Sequence, residues 1–96
     1  MSVNTQFVVV SYDISDDKCR RKVMKTLEDF GKRVQYSVFE CNLLPVDINR
    51  LKARLKLYVR GKQDSIRFYF IGAEDVLRIQ IIGNGKITQE PTYYLQ

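Results

Sequence analysis

The chain has 96 residues, a formal net charge of +5 and a sequence pI near 9.4, enough for one domain with one modest core and a balance that favours a polyanionic partner. Hydrophobic residues make up 45% and charged residues 28%, which excludes a disordered chain. With no histidine and only two cysteines, Cys19 and Cys41, the chain excludes Ser-His-Asp and Cys-His catalysis and cannot build a structural zinc site by itself.

The N-terminal MSVNTQF lacks a basic region followed by an apolar core, so no signal peptide is expected, and no apolar run approaches the roughly 20 residues that span a bilayer. The expected setting is the cytoplasm, with both thiols buried and reduced and no membrane contact. No internal repeat or linker divides the sequence, and residues 1–96 read as one domain.

The first element is an unbroken apolar run, Phe7 to Val10, inside a strand over about residues 6–12. Three of the four are valine, and β-branched side chains suit a pleated backbone. The run ends in Ser11-Tyr12-Asp13. Ser15, Asp16 and Asp17 follow, residue types that cap and open a helix. That helix is expected over about 17–30, with Cys19, Val23, Leu27 and Phe30 on one stripe and Gly31 as a left-handed terminator. RVQYSVFEC, residues 33–41, reads as one strand. A second helix is expected over about 47–60, carrying Ile48, Leu51, Leu55, Tyr58 and Val59 inward. Ser65 to Ile71 is a strand, and residues 78–82 another, hairpinned to it across Gly72–Leu77. From Lys86 onward, Ile87, Tyr93, Tyr94 and Leu95 make a tail apolar enough to pair with a sheet edge, its own or a partner's. Two amphipathic helices and several strands in this length imply an α+β two-layer sandwich, both helices on one sheet face.

Residue chemistry marks two places. Asp13 stands where a central strand stops and a helix begins. It can cap the turn, or it can ligate magnesium or manganese through carboxylate oxygens. One carboxylate is a poor site, and a twofold dimer that joins two copies of Asp13 makes a better one. Arg20 falls at the edge of the apolar stripe, where a guanidinium can grip phosphate bidentately. On the strand over 33–41, alternation puts Arg33, Gln35, Ser37, Phe39 and Cys41 on one face, assigned away from the helices. That face reads as a solvated surface, a dimer interface or a nucleic-acid surface. The second place is the basic cluster Arg50, Lys52, Arg54, Lys56, Arg60 and Lys62, either a solvated helix face or a phosphate track.

VVVSYDISDDKCRRKV followed by GKRVQYSVFEC resembles the CRISPR-associated protein 2 family. The match rests on Tyr12-Asp13-Ile14, on Arg20, and on Gly31, Arg33, Val34, Gln35, Ser37, Val38 and Phe39. It covers about the first 45 residues in detail, and the rest in length and order of elements only. The resemblance implies a ferredoxin-like βαββαβ fold with an extra C-terminal strand, and a homodimer in which the tail over 86–96 packs on the other subunit. It thus asks for two strands within 33–41. It implies a part in spacer acquisition with the CRISPR integrase, and magnesium-dependent endonuclease activity on single-stranded RNA or double-stranded DNA. Asp13 would then hold Mg2+ (or Mn2+) at the dimer axis, with Arg20, Arg33 and Phe39 near the active centre. Lys22 stands where some relatives carry a second arginine, a point charge in place of a planar fork. The competing reading is a non-catalytic basic dimer that holds DNA and bridges integrase subunits, with Arg50, Arg54, Lys56, Arg60 and Lys62 as its nucleic-acid contacts.

Overall fold

The computed structural model describes residues 4–88. Its elements run β1 (Gln6–Asp13), α1 (Asp17–Glu28), β2 (Lys32–Gln35), β3 (Val38–Leu43), α2 (Pro45–Lys56), β4 (Ser65–Ile71) and a short α3 (Ala73–Val76). The first six spell βαββαβ. All strand pairs are antiparallel, in the order β2-β3-β1-β4. The valine-rich β1 is therefore central, with β3 on one side and β4 on the other.

Alternation along β1 sorts the layers. Val8, Val10 and Tyr12 face the helices and are buried with Cys19, Val23, Leu27 and Phe30 from α1 and its exit, and Ile48, Leu51 and Leu55 from α2. Phe7, Val9, Ser11 and Asp13 point to the other face, opposite Asn42, Glu40 and Val38 of β3 and Ile71, Tyr69, Arg67 and Ser65 of β4. Lys86–Thr88 reach back over this face: the Thr88 N–H donates to Glu40 Oε1 at 3.1 Å, and Asn42 Nδ2 donates to the Thr88 carbonyl at 2.8 Å.

α1 begins as its residues dictate. The Asp16 carboxylate accepts the Cys19 N–H at 2.9 Å, and Asp17 adds negative charge to the first turn. Gly31 departs from expectation, because positive φ occurs only at Gly83 and Gly85 among the described residues. Its role is close approach: a Cβ there would lie 2.4 Å from Cys41 Sγ and 2.5 Å from the Glu40 carbonyl oxygen.

Four further expectations are corrected. Residues 33–41 form two strands, β2 and β3, joined at Tyr36-Ser37, with a register shift between Arg33 and Gln35. Arg33 and Phe39 do share a face, being cross-strand partners, but it is the helix face: Phe39 and Cys41 are fully buried in the core. Assigning that face away from the helices is thus corrected, and Gln35, which pairs with Val38 beyond the register shift, leaves it; the Phe39 ring packs beside Tyr12 instead. The second helix is shifted earlier, starting at Pro45, whose fixed φ and missing N–H suit the first helical turn. Residues 78–82 are not a strand; α3 begins after Gly72, and Gly83 and Gly85 interrupt any later extended run. The extra C-terminal strand lies outside the described residues.

Candidate active site

The carboxyl end of β1 gathers three connections: the turn into α1, the β2–β3 turn and the loop from α2 into β4. Antiparallel pairing puts them there, since β3 and β4 start where β1 stops. The Tyr12 N–H donates to the Ser37 carbonyl at 3.1 Å, and Asp13 pairs with Ser65.

Asp13 is exposed, the last residue of β1, on the face away from the helices. Arg20 stands on the helix side. Its Nη1 donates to the Ile14 carbonyl at 3.1 Å and to that of Ser15 at 3.4 Å, and its Nη2 meets the Asp17 carboxylate. That carboxylate hydrogen bond raises the Arg20 pKa. The arginine thus braces the two residues that follow Asp13. Arg33 is exposed on β2, with Nε donating to the Tyr36 carbonyl at 3.1 Å and its guanidinium 5.2 Å from the Tyr36 ring centroid. The Tyr36 ring is itself 73% exposed. Between them lies Tyr12, whose hydroxyl donates to the Tyr36 carbonyl at 3.5 Å, and whose pKa is raised by burial against an opposing pull from Arg33.

The residues expected at the centre are therefore only partly brought together. Asp13, Arg20 and Arg33 share one end of the sheet, with Asp13 on the opposite face from the two arginines. Phe39 is no surface group; its ring packs 6.4 Å from that of Tyr12, supporting the site from beneath. Two residues at this end, Tyr36 and Asp64, lay outside the residues expected to act. Tyr36 sits inside the motif stretch but looks like a strand residue until the turn is seen. Asp64 follows Gly61-Lys62-Gln63 and looks like ordinary turn chemistry.

Among the described residues no group of three or more histidine, cysteine, aspartate or glutamate side chains gathers to hold a metal ion. Asp13 by itself presents one exposed carboxylate at this end, the kind of oxygen ligand that Mg2+ takes while it keeps several waters.

The basic cluster divides by partner. Arg50 Nη1 lies 3.7 Å from Asp47, and Arg54 Nη2 lies 3.5 Å from Asp29 while its guanidinium covers Phe30 at 5.4 Å. Arg60 Nε donates to the Leu57 carbonyl at 3.4 Å. Lys52 sits over the Phe68 and Phe70 rings at 5.6 and 5.5 Å. Lys56 and Lys62 are exposed, with no carboxylate within salt-bridge distance among the described residues.

The family model for CRISPR associated protein Cas2 matches residues 6–79, which include every element from β1 through α3. The chain belongs to the Cas2 family. A Chloroflexus aurantiacus relative named CRISPR-associated endoribonuclease Cas2 3 is 44% identical over 89 residues, covering 93% of this chain and 96% of its own. The crystal structure of Streptococcus pyogenes Cas2 superposes with a TM-score of 0.70 at 39% identity, covering 80% of this chain and 99% of that one. A chain from a partial Cas6-RT-Cas1–Cas2 complex superposes with a TM-score of 0.71 at 27% identity, covering 80% and 90%. The βαββαβ order is thus the framework of a Cas2 protein. No helix among the described residues is long and apolar enough to cross a membrane.

Proposed function

We propose that this protein is a Cas2 subunit of CRISPR adaptation that cleaves phosphodiester bonds, acting as a homodimer with Mg2+ (Mn2+ as substitute) and in company with the CRISPR integrase. The observation that carries the nuclease reading is Asp13, a solvent-facing carboxylate on the last residue of the central strand, beside a turn braced by Arg20. The relatives' endoribonuclease name supports RNA over DNA. So does Tyr36, an exposed ring beside the Arg33 guanidinium, on which an unpaired base can stack.

Asp13 would hold the metal, and the metal, when bound, neutralises charge developing on the phosphate. Arg20 keeps the turn after Asp13 in place. Arg33 presents a guanidinium toward a phosphate and one side of the Tyr36 ring. A second protomer stacked on the sheet face away from the helices, where Asp13, Val9, Tyr69 and Ile71 lie, would bring a second Asp13 to the same end.

The test is cleavage of single-stranded RNA and of double-stranded DNA by wild-type and Asp13→Ala protein, with Mg2+, Mn2+ or EDTA. Loss of RNA cleavage in both the variant and EDTA is expected. Cleavage that survives Asp13→Ala in protein free of contaminating nuclease would sink the assignment. A second reading, a non-catalytic adaptor holding DNA, is favoured by one observation: Lys56 and Lys62 are exposed and, among the described residues, have no carboxylate within salt-bridge distance, beside a helix carrying Arg50 and Arg54. Under it, Asp13→Ala leaves DNA capture and integrase assembly intact.

A further inference from the structure

The Asp64 carboxylate joins two loops that the sequence keeps 49 residues apart. Its Oδ1 accepts the Ser15 N–H at 3.0 Å and the Ser15 hydroxyl at 2.9 Å. Its Oδ2 accepts the Gly61 N–H at 2.9 Å and the Arg60 N–H at 3.3 Å. An ionised carboxylate offers about four acceptor positions, and here four donors meet them. Asp64 is therefore committed to holding loops and has no lone pair left for a metal. Gly61 permits this approach, since a Cβ there would meet Oδ1 at 3.1 Å.

We infer that Asp64 is a positioning residue for Asp13. The inference rests on the metal-nuclease reading above. Asp13 is gripped from two directions by one dipeptide: Ser65 pairs with it across the sheet, and Asp64 holds Ser15, two residues further on. The carbonyl of the same Ser15 accepts from Arg20, so the residue is held at its N–H, its hydroxyl and its carbonyl. The turn that follows Asp13 thereby loses the freedom to swing, and the carboxylate keeps one direction at the sheet's end. Groups that orient a metal-binding residue in this way typically change metal affinity or rate by 10- to 100-fold when removed, and small misplacements at a reacting centre cost similar factors.

The experiment compares full-length wild type, Asp13→Ala, Asp64→Ala, Asp64→Asn and Ser15→Ala. Mn2+ affinity is read by electron paramagnetic resonance of the free ion. Single-stranded RNA cleavage in Mg2+ is split into kcat and KM, and Ser15 amide exchange is followed by NMR, all well below each variant's Tm. Asp64→Ala is expected to weaken Mn2+ binding about tenfold or more and to lower kcat roughly 10- to 100-fold with KM within about twofold, while Ser15 loses amide protection. Asp64→Asn keeps one acceptor oxygen and is expected to fall between, as is Ser15→Ala, which keeps the N–H bond. These two carry the test if Asp64→Ala does not fold. Wild-type Mn2+ affinity and kcat in Asp64→Ala, or in both milder variants if only those fold, would overturn the positioning role and leave the nuclease reading standing. Wild type that neither binds Mn2+ nor cleaves would overturn both together.

Discussion

Replacing Phe39 separates a site residue from a core residue. Its side chain is fully buried between Val10, its partner across β1, and the Tyr12 ring 6.4 Å away. Truncating such a phenylalanine to alanine removes its buried area and leaves a cavity that close-packed neighbours fill only in part, at a cost of about 3–5 kcal/mol. For a domain of this size each kcal/mol lowers Tm by roughly 4–8 °C, so Phe39→Ala is expected to melt some 12–40 °C below wild type. Phe39→Leu keeps most of the volume and is expected to cost about 1–1.5 kcal/mol. Circular dichroism melting gives the stabilities, and RNA cleavage measured well below each Tm gives the activities. The expected pattern is an activity loss that follows the folded fraction, with Phe39→Leu close to wild type. A Phe39→Ala protein with wild-type Tm and no cleavage would refute the core assignment and return Phe39 to the reacting surface.

Other changes probe other parts. Gly31→Ala drives a Cβ into the Glu40 carbonyl, which backbone pairing holds in place; denaturant unfolding is expected to show a loss of about 3 kcal/mol, and a loss under about 0.5 kcal/mol would contradict the geometry. Four hydrogen bonds hold the Asp64 pKa near 2, below its ordinary value of 3.8, so the stability it contributes is present above pH 4 and is lost as pH falls toward 2. Asp64→Asn should therefore flatten that part of an acid-unfolding curve, and an unchanged slope there would argue against the clamp. Lys56→Gln with Lys62→Gln should lower the salt dependence of RNA binding by about 0.7 per lost phosphate contact, whereas Arg54→Gln, already engaged with Asp29 and Phe30, should change it less.

The local signals read best where chemistry is short-range. The valine run, the Asp16 cap and the Ser65–Ile71 alternation each match an element of the fold. Asp13, Arg20 and Arg33 were visible as candidates, and all stand at one end of the sheet. What stayed hidden depended on contacts far along the chain. Period-two alternation puts Arg33, Phe39 and Cys41 on one side but wrongly adds Gln35, which the register shift pairs with Val38, and only packing on Tyr12 and the helices shows that Phe39 goes inward. A turn at Tyr36-Ser37 carries no glycine or proline to announce it. The isoleucines after Leu77 have strand propensity but, among the described residues, no strand beside them. Asp64 acts through Ser15, a separation no local pattern spans.

The antiparallel order also gives the molecule two poles. One collects the ends that carry Asp13, Tyr36 and Asp64. The other carries α3 and Leu77, which is 87% exposed. β4 spans the gap, seven residues or roughly 24 Å at strand rise. Leu77→Cys, conjugated to a spin label or fluorophore, would put a reporter at the far pole while both native thiols, Cys19 and Cys41, are buried. Burial pushes the Cys41 thiol up to about 12, so its thiolate, the form that couples, is scarce at neutral pH. Distances between two such reporters would then test the proposed homodimer without a probe touching the end that carries Asp13.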